Sequence, residues 1–253
     1  MAIIVMNVID CTESLSSKTV DSYFKFGYVV IPSLLSASYI DSLLEETKNQ
    51  KLIKKEWNGS SLDTSNPCQD LAIHQILVHP KILEIAETYL DNSVRIHFGM
   101  LAVIAANGGN GLPWHQDNMY TKLLGRAMNI FIALCDITPE MGTLWIAPKS
   151  HVYGVLDYKN NTTTAPGHRE VLEVPKDTFC VGSLNKGDVV AFDRQTLHRS
   201  LTNSSSLDRY AYAAQFSSKN IRNAEDGMLM QEKILARDLL RTYVKSKSYI
   251  QPI

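Results

Sequence analysis

Two residues with metal-binding side chains, His115 and Asp117, lie two positions apart in the segment Trp-His-Gln-Asp. A second lone histidine, His198, follows the strand-like run Gly187–Phe192, and Arg209 comes eleven residues after that histidine. Two histidines and one carboxylate on one face of an iron leave three coordination positions open for a co-substrate and O2. These residue types therefore predict an oxygen-activating iron site with an arginine beyond it.

The spacing of His115 and Asp117 fits a β-strand better than a helix. On a strand, residues i and i+2 point to the same side, so both side chains could reach one ion while Gln116 points away. A helix would not bring residues at that spacing together. The glycine-rich turn Asn107–Gly111 and Pro113 also argue against a helix here. The alternative for His115 is a histidine that hydrogen-bonds to a neighbouring loop.

The second histidine lies in Leu197–Leu201, a segment that follows an apolar strand and a turn. Alternation along a strand places His198 and Ser200 on one face and Arg199 on the other. We therefore expect the third metal ligand to come from a strand adjacent to the first two.

Arg209 begins a strand-like segment in which Ala211 and Ala213 share its face. A long cation above small residues has room to extend inward, and a guanidinium can bind a carboxylate through two parallel hydrogen bonds. The alternative is an ordinary surface ion pair with Asp208 or Asp193. In this arrangement we favour an anion-binding role.

The surrounding sequence predicts a mainly β fold with flanking helices. We predict helices over 17–26, from Ser36 or Ser38 onward, over 79–90 and over 226–247, and a short buried strand over 28–31. Further strands are predicted over 94–106, 127–134, 143–146, 188–192, 197–201 and 210–216. Short strands separated by turns, after a helical region, indicate a β-sandwich or jelly roll. Residues 151–182 are predicted to form a long lid or binding loop.

The length and composition favour one domain. A chain of 253 residues that is 45% hydrophobic can form a single sizeable core. We divide it into a helical part at about 1–92, a barrel at about 93–218 and a C-terminal helix at about 226–247. A net charge of −1 with dispersed basic residues gives no reason to expect nucleic acid or a membrane surface as partner. We expect a small-molecule partner and leave the oligomeric state open.

The cysteines and the termini bear on the compartment. Cys11, Cys68, Cys135 and Cys180 lie far apart without a Cys-x-x-Cys pair, which favours reduced thiols over disulfides or a zinc site. The apolar opening Met1–Met6 is too short for a signal-peptide core, and no segment approaches a membrane span. The C-terminus carries no peroxisomal address. We therefore expect a cytoplasmic protein.

The chain resembles the phytanoyl-CoA dioxygenase family of iron(II)- and 2-oxoglutarate-dependent oxygenases over roughly residues 18–218. The resemblance rests on segments that occur in order: Phe26–Pro32, Trp114–Asp117, Gly142–His151, and Gly187–Phe192 with His198 and Arg209. It implies a double-stranded β-helix, a cupin-like jelly roll, with N-terminal and C-terminal helices. One departure is Pro148-Lys-Ser-His, where the family often has Pro-Gly-Ser-His; it weakens the turn geometry and leaves the metal site intact.

The resemblance also implies roles for individual residues. The iron ligands would be His115, Asp117 and His198. Arg209 matches the residue that binds the far carboxylate of 2-oxoglutarate, and Ser200 matches a hydroxyl that often assists it. Tyr120 lies where family members contact the co-substrate or line the pocket. The cofactor and co-substrates implied are Fe(II), 2-oxoglutarate and O2.

A further set of residues near these segments is predicted to line the substrate pocket. It comprises His97, Met119, Arg126 and Phe131. Of these, His97 lies on the strand before the glycine-rich turn and could face the barrel interior. For His97 we favour a hydrogen-bonded histidine of the core over a catalytic residue.

The implied reaction is hydroxylation of an unactivated C–H bond in a small metabolite or a carrier-bound group, with release of succinate and CO2. Desaturation, epoxidation and ring formation begin with the same C–H abstraction and stay open. Asp117 disfavours halogenation, because iron halogenases need that ligand position vacant for chloride. The lack of a peroxisomal address counts against phytanoyl-CoA itself as the substrate.

Two other classes of protein stay open at this point. The first is a cupin-like metal-dependent dioxygenase that does not use 2-oxoglutarate; such chemistry needs no carboxylate clamp of the kind predicted for Arg209. The second is a non-catalytic barrel-fold binding protein. The intact ligand set speaks against the second class, because loss of chemistry would be expected to strike a ligand first.

Overall fold

The computed structural model describes residues 17–49, 60–61, 72–162, 167–246 and 249–252. The predictions for the opening segment Met1–Met6 and for Cys11 and Cys68 fall outside these residues. Cys135 and Cys180 are free cysteines. Within the described ranges, no helix has the length and apolar character that a membrane crossing requires.

Local sequence signals define the helices. The α-helices of the described part are α1 (Ser17–Phe26), α2 (Ala37–Asn49), α3 (Pro80–Leu90) and α4 (Ala236–Val244). Gly27 follows α1 with a φ of +82°, a conformation that ends a helix at little cost for glycine. The Ser36 hydroxyl accepts a hydrogen bond from the Tyr39 amide (3.2 Å) and caps α2. His79 caps α3, and Pro80 occupies its first turn.

The strands form one large and one small sheet, with two additional two-stranded pairs. They are β1 (Tyr28–Ile31), β2 (Ser60–Ser61), β3 (Val94–Ile104), β4 (Leu123–Leu124), β5 (Ala127–Ala133), β6 (Leu144–Ile146), β7 (Tyr158–Asn160), β8 (Arg169–Val171), β9 (Phe179–Cys180), β10 (Val189–Asp193), β11 (His198–Ser200), β12 (Arg209–Ser218) and β13 (Arg222–Asn223). The large antiparallel sheet has the order β1-β10-β5-β12-β3-β2, and the small one has the order β11-β6-β9.

Side-chain alternation along the large sheet separates two apolar layers. On β5, Met128, Ile130 and Ile132 pack against the helices, whereas Asn129 and Phe131 face the opposite side. The helix-side layer also contains the buried faces of α2, α3 and α4. The opposite layer packs the large sheet against β6 of the small sheet. The functional residues lie between these two sheets.

This arrangement confirms the predicted fold class, a mainly β jelly roll with flanking helices. The described strands form two facing sheets and do not close into the barrel predicted for residues 93–218. The region predicted to be helical also contributes to the core, because β1 pairs with β10 at the edge of the large sheet. Residues 151–182 are less loop-like than predicted, since they contain the β7–β8 hairpin and β9.

The predicted C-terminal helix begins ten residues late, at Ala236 and not at 226. Immediately before α4, Ile234 and Leu235 run beside the large sheet, where Leu235 forms an antiparallel bridge with Arg95. The Ile96 amide donates to the Ile234 carbonyl (2.9 Å), and the Arg95 guanidinium donates to the Lys233 carbonyl (2.6 Å). These long-range hydrogen bonds satisfy the backbone in place of helical ones. The sequence window contains no signal for them.

Gly187 lies just before β10 and packs closely against Leu35, which follows β1. It has a φ of +96°, and a Cβ there would lie 2.1 Å from the Leu35 carbonyl oxygen. We expect Gly187→Ala to lower the free energy of unfolding by about 2–4 kcal/mol, from backbone strain and overpacking together. Gly227→Ala is the matched control, because Gly227 has a φ of +70° and open space around it. Urea unfolding should show a loss of only about 1 kcal/mol for the control. Equal losses in the two variants would show that the contact with Leu35 is unimportant.

Candidate metal centre

Backbone pairing brings the two predicted histidine ligands together. His115 and His198 lie opposite each other as an isolated antiparallel bridge. The His115 amide donates to the His198 carbonyl (2.9 Å), and the His198 amide donates back to the His115 carbonyl (3.0 Å). Directly opposite residues in such a pair project side chains on the same face. The two imidazole centroids are accordingly 4.3 Å apart.

Asp117 reaches the same point by a different local structure from the one predicted. The chain is extended at Gln116, but a short 3-10 helix begins at Asp117. The Gln116 side chain points away and is held by three hydrogen bonds, to the carbonyls of Gly154 (2.9 Å) and Gln195 (2.5 Å) and from the Leu156 amide (2.8 Å). Anchoring Gln116 in this way turns Asp117 toward the histidines. Candidate ligand atoms of His115, Asp117 and His198 lie within 4.8 Å of one another.

Both imidazoles are oriented by backbone carbonyls. His115 Nδ1 lies 2.8 Å from the Pro113 carbonyl oxygen, and His198 Nδ1 lies 3.0 Å from the Thr196 carbonyl oxygen. A carbonyl oxygen only accepts, so each Nδ1 carries the hydrogen and donates. Each Nε2 therefore keeps its lone pair. This is the tautomer that a metal-binding histidine needs.

The electrostatics favour a neutral histidine beside an anionic carboxylate. Burial, with His198 nearby, lowers the pKa of His115 to about 3. Burial alone would raise the pKa of Asp117, but the neighbouring groups His198, Arg194 and His115 pull it below its usual value. Ligands must be deprotonated to bind a metal. At neutral pH, His115 is therefore already neutral and Asp117 already ionised, as metal binding requires.

The donor set fits iron. Two imidazole nitrogens and one carboxylate oxygen form the 2-His-1-carboxylate set that binds non-heme Fe(II) with open positions. Among the described residues, His115, Asp117 and His198 are the group of three that could hold an ion. All three side chains are more than nine-tenths buried, so the set is held in place before an ion arrives.

Asn129 supports Asp117 from the large sheet. Its amide nitrogen donates to Asp117 Oδ2 at 2.8 Å. Arg194, which is also buried, donates to the Asp117 carbonyl (3.3 Å) and to Gln215 Oε1 (2.5 Å). Sequence reasoning missed both residues. The available signal for Asn129 was a polar side chain that alternates with Met128 and Ile130 in an otherwise apolar strand.

A cavity of about 490 Å³ surrounds the cluster and receives most of the predicted site residues. The predicted residues that line it are His97, His115, Asp117, Tyr120, Phe131, His198, Ser200 and Arg209. Lining residues that were not predicted include Asn129, His168, Phe192, Arg194, Gln215 and Lys233. A volume of this size suits small ligands.

Arg209 lies buried in this cavity and is not part of a surface ion pair. Its side chain is 4% exposed, and one nitrogen donates to the Gly142 carbonyl (2.7 Å). The guanidinium lies 5.5 Å from the centre of the Phe131 ring, and its buried Nε has no hydrogen-bond partner among the described residues. Burial lowers the pKa of Arg209 to about 10, so it remains a cation at neutral pH. A buried cation without a carboxylate partner is a candidate anion site.

Ser200 and Tyr120 lie at different parts of the cavity wall. Ser200 Oγ accepts a hydrogen bond from the Leu112 amide (3.0 Å), which leaves the hydroxyl hydrogen available as a donor. The Tyr120 ring packs edge-on against His115, with centroids 5.9 Å apart. Its hydroxyl accepts from the Arg169 amide (3.0 Å) and lies 3.2 Å from His168 Nδ1. Tyr120 thus connects the metal-binding loop to the β8 segment.

Two residues predicted to line the pocket lie elsewhere. Met119 is fully buried in a separate apolar cluster, and its sulfur lies 3.5 Å from the Gln116 amide. The 3-10 turn that begins at Asp117 directs Met119 away from the cavity. Arg126 lies on the surface, where it forms an ion pair with Asp91 (3.0 Å). Proximity in sequence to the ligands was a poor guide in both cases.

His97 faces the cavity, as the sequence allowed. It is 8% exposed, and its buried Nδ1 has no hydrogen-bond partner within the described residues. Burial, together with the positive charges of Arg194 and Lys233, lowers the pKa of His97 to about 3. The imidazole is therefore neutral at physiological pH. The expectation of a hydrogen-bonded core histidine does not hold for this nitrogen.

The jelly-roll fold and the buried ligand cluster define a class: a double-stranded β-helix protein with a candidate 2-His-1-carboxylate metal centre. The family model for Phytanoyl-CoA dioxygenase (PhyH) matches residues 23–211, and the chain belongs to this family.

The two individual relatives described next are about one quarter identical to this chain. Phytanoyl-CoA dioxygenase domain-containing protein 1 from Danio rerio is 25% identical over 187 residues, 66% of this chain and 60% of that protein. The match therefore spans less than two thirds of that relative. An L-proline trans-4-hydroxylase from Streptomyces griseoviridis is 24% identical over 234 residues, 78% of this chain and 85% of the hydroxylase.

Solved structures share the fold. EvdO2 from Micromonospora carbonacea var. aurantiaca, complexed with 2-oxoglutarate, has a TM-score of 0.69 and 18% identity, over 85% of this chain and 95% of that one. The epimerase SnoN, in complex with Fe3+, alpha ketoglutarate and nogalamycin RO, has a TM-score of 0.65 and 18% identity, over 81% and 84% of the two chains. At these identities, the likeness shows the fold.

The Asn129 contact gives a prediction for metal affinity. Asn129→Leu keeps a similar volume and removes the hydrogen bond to Asp117. We expect Mn(II) binding, measured by isothermal titration calorimetry, to weaken roughly ten- to a hundredfold, which is the usual effect of losing such a supporting contact. Asn160→Leu, on an exposed position of β7, is the control and should bind Mn(II) normally. Unchanged affinity in Asn129→Leu would show that Asp117 needs no support from β5.

The low pKa of His97 predicts how stability depends on pH. Between pH 6.5 and about 3, the unfolded chain binds a proton at His97 that the folded chain does not bind, so the free energy of unfolding falls as pH falls. From pH 7 to pH 5, His97 should account for about 1–2 kcal/mol of the loss. Urea unfolding of metal-free His97→Asn should show a loss smaller than wild type by that amount. Equal losses in wild type and His97→Asn would show that protonation of His97 does not cause this part of the pH dependence.

Proposed function

We propose that this protein is an Fe(II)- and 2-oxoglutarate-dependent oxygenase that hydroxylates an unactivated C–H bond of a small molecule. The observation that carries the proposal is one cavity that contains both the oriented His115–Asp117–His198 cluster and the buried, incompletely paired cation of Arg209. The first suits Fe(II), and the second suits the carboxylate of a keto acid. Family membership supports the same reading.

In this proposal, His115 and His198 would hold the iron through Nε2, and Asp117 through a carboxylate oxygen. The bound iron would activate O2 together with 2-oxoglutarate, which is converted to succinate and CO2 as the substrate is oxidised. The protein would contribute by holding the three ligand side chains in position before the iron binds. The Pro113 and Thr196 carbonyls hold the imidazoles, and Asn129 holds the carboxylate.

Arg209 would bind the distal carboxylate of 2-oxoglutarate, with Ser200 donating its hydroxyl hydrogen to the same group. The guanidinium already uses one nitrogen on Gly142, so its position is set before the co-substrate arrives. Phe131 and Leu144 form the apolar wall around it. Excluding water from this wall strengthens the charge-assisted contact.

The alternative classes lack a comparable fit. A metal-dependent dioxygenase that does not use a keto acid has no need for a buried guanidinium such as Arg209. A non-catalytic binding protein has no need for three buried ligands with both imidazoles in the metal-binding tautomer. The structure therefore favours the oxygenase over both.

The choice of hydroxylation comes from a relative of this chain. The relative from Streptomyces griseoviridis is a hydroxylase of L-proline, which makes hydroxylation of a small molecule our choice over desaturation, epoxidation or ring formation. SnoN is an epimerase, so the shared fold does not by itself select hydroxylation. Mass analysis of the product separates the outcomes, because hydroxylation adds one oxygen and desaturation removes two hydrogens.

The proposal is tested by 2-oxoglutarate turnover. Protein reconstituted with Fe(II) should convert 2-oxoglutarate to succinate, faster when a panel of small metabolites includes its substrate. Asp117→Ala should make no succinate under the same conditions, because the carboxylate ligand is lost. Succinate formation by Asp117→Ala at the wild-type rate would refute the assignment of the metal site.

Arg209→Lys tests the co-substrate site separately. Lysine keeps the charge but cannot form two parallel hydrogen bonds. Losing one hydrogen bond to a charged group costs about 1.5–3 kcal/mol, so calorimetry on Mn(II)-loaded protein should show 2-oxoglutarate binding weakened roughly ten- to a hundredfold. Mn(II) affinity should not change. Arg241→Lys, an exposed position on α4, is the matched control. Unaltered 2-oxoglutarate affinity in Arg209→Lys would remove this residue from its role.

A further inference from the structure

The residues just before α4 place a lysine on the cavity wall. Leu235 bridges to Arg95 and the Ile96 amide donates to the Ile234 carbonyl (2.9 Å), so Lys233, the next residue back along the chain, lies near His97. The Lys233 backbone is fixed there, since its carbonyl accepts from the Arg95 guanidinium (2.6 Å). Both Lys233 and His97 line the cavity that contains the metal cluster.

A β-bulge aims His97 into the cavity. On β12, Phe216 pairs with Ile96 and Gln215 pairs with Phe98, so His97 is the extra residue of β3. A bulge of this kind breaks strict alternation and redirects a side chain. As a result, the consecutive residues His97 and Phe98 both line the cavity. Such bulges are common beside binding sites.

The other cations of the cavity are already engaged. Arg194 donates to Gln215 and to the Asp117 carbonyl. Arg199 is stacked between Trp114 and Trp145, at 4.9 and 5.0 Å from the ring centres. Arg209 is assigned above to the co-substrate. The Lys233 ammonium has neither a hydrogen bond nor an ion pair within the described ranges. Among the described cations of this cavity, Lys233 is the one whose charged group makes none of these contacts.

Lys233 and Arg209 serve opposite ends of the cavity. Arg209 pairs with Ile104 at one end of β3, whereas His97 lies seven residues away toward the other end. Seven residues of strand separate the two backbone positions by roughly 20 Å, and Arg209 is already assigned to 2-oxoglutarate in the proposed function. The metal-binding cluster also lines this cavity. A second anion bound at Lys233 would therefore belong to a molecule other than 2-oxoglutarate.

We propose that Lys233 and His97 form the substrate-recognition site, and that the substrate is a small molecule bearing a carboxylate. Lys233 supplies the charge, and the His97 imidazole, which lines the same cavity, supplies a hydrogen bond. This inference rests on the proposed function, because it assigns the second ligand of the same cavity. A single ammonium beside a neutral imidazole matches a monoanion. The cavity of about 490 Å³ must hold the co-substrate as well, which limits the substrate to a small metabolite.

Matched acid and amide pairs test this site. The probes are L-proline and L-prolinamide, cyclopentanecarboxylate and its amide, and benzoate and benzamide. Binding to Mn(II)-loaded protein saturated with 2-oxoglutarate is measured by calorimetry. Saturation keeps the probes out of the Arg209 site. We expect at least one acid to bind tenfold or more tightly than its amide. Lys233→Met should remove that difference, and Lys233→Arg should keep most of it.

The controls separate recognition from folding and from the proposed function. Lys176→Met removes an exposed lysine outside the cavity and should leave acid binding unchanged. His97→Phe should weaken binding of the acid several-fold while urea unfolding at neutral pH stays cooperative. If no acid binds more tightly than its amide, or if Lys233→Met binds the acid as wild type does, the inference is overturned. Failure of 2-oxoglutarate to bind in the saturation step would instead overturn the proposed function.

Discussion

The reciprocal backbone pair between His115 and His198 is the constraint on which the site depends. Its two hydrogen bonds, of 2.9 and 3.0 Å, join the loop that follows β3 to the first residue of β11. Because β11 is in turn paired with β6, the positions of both imidazoles are set by a sheet and not by a loop alone. Asp117 is then brought in by the 3-10 turn and fastened to the opposite sheet through Asn129. The ligand set therefore spans the space between the two sheets.

The cavity carries several polar groups that a purely structural core would avoid. A buried guanidinium without a carboxylate partner, as at Arg209, and a buried imidazole nitrogen without a partner, as at His97, both cost free energy. Their burial lowers the pKa of each group, because the charged form is poorly solvated. Unsatisfied groups of this kind are typical of ligand-binding sites. The two lie near opposite ends of β3, which is consistent with two different ligands in one cavity.

Much of the fold could be predicted because its signals are local. The limits of α1 and α3 follow from Gly27 and from the His79–Pro80 pair, and the central strands follow from alternation or apolar runs. The closeness of His115 and Asp117 was predictable because they share a short segment, whereas His198 was added from its strand context and the family resemblance. Regions governed by long-range contacts were predicted less well. Residues 226–235 were predicted to be helical, but Leu229 bridges to Arg222 and Leu235 bridges to Arg95, through contacts that no sequence window reveals.

The same reason explains the errors in the pocket. Met119 and Arg126 are close to the ligands in sequence, but the turn at Asp117 and the ion pair with Asp91 direct them elsewhere. Lys233 is more than a hundred residues from Asp117 in the sequence. Only the pairing of its neighbours Ile234 and Leu235 with β3 brings it to the cavity. Asn129 was detectable in principle, as the polar position of an apolar strand. No signal in the sequence indicated that Asp117 would be the partner of Asn129.

The most direct test of this account is a crystal structure of the protein with Mn(II) in place of Fe(II), with the ion located by its anomalous scattering. The account predicts one ion per chain, bound through Nε2 of His115, Nε2 of His198 and a carboxylate oxygen of Asp117. An ion located elsewhere in the chain, or imidazoles that coordinate through Nδ1 after releasing the Pro113 and Thr196 carbonyls, would contradict it.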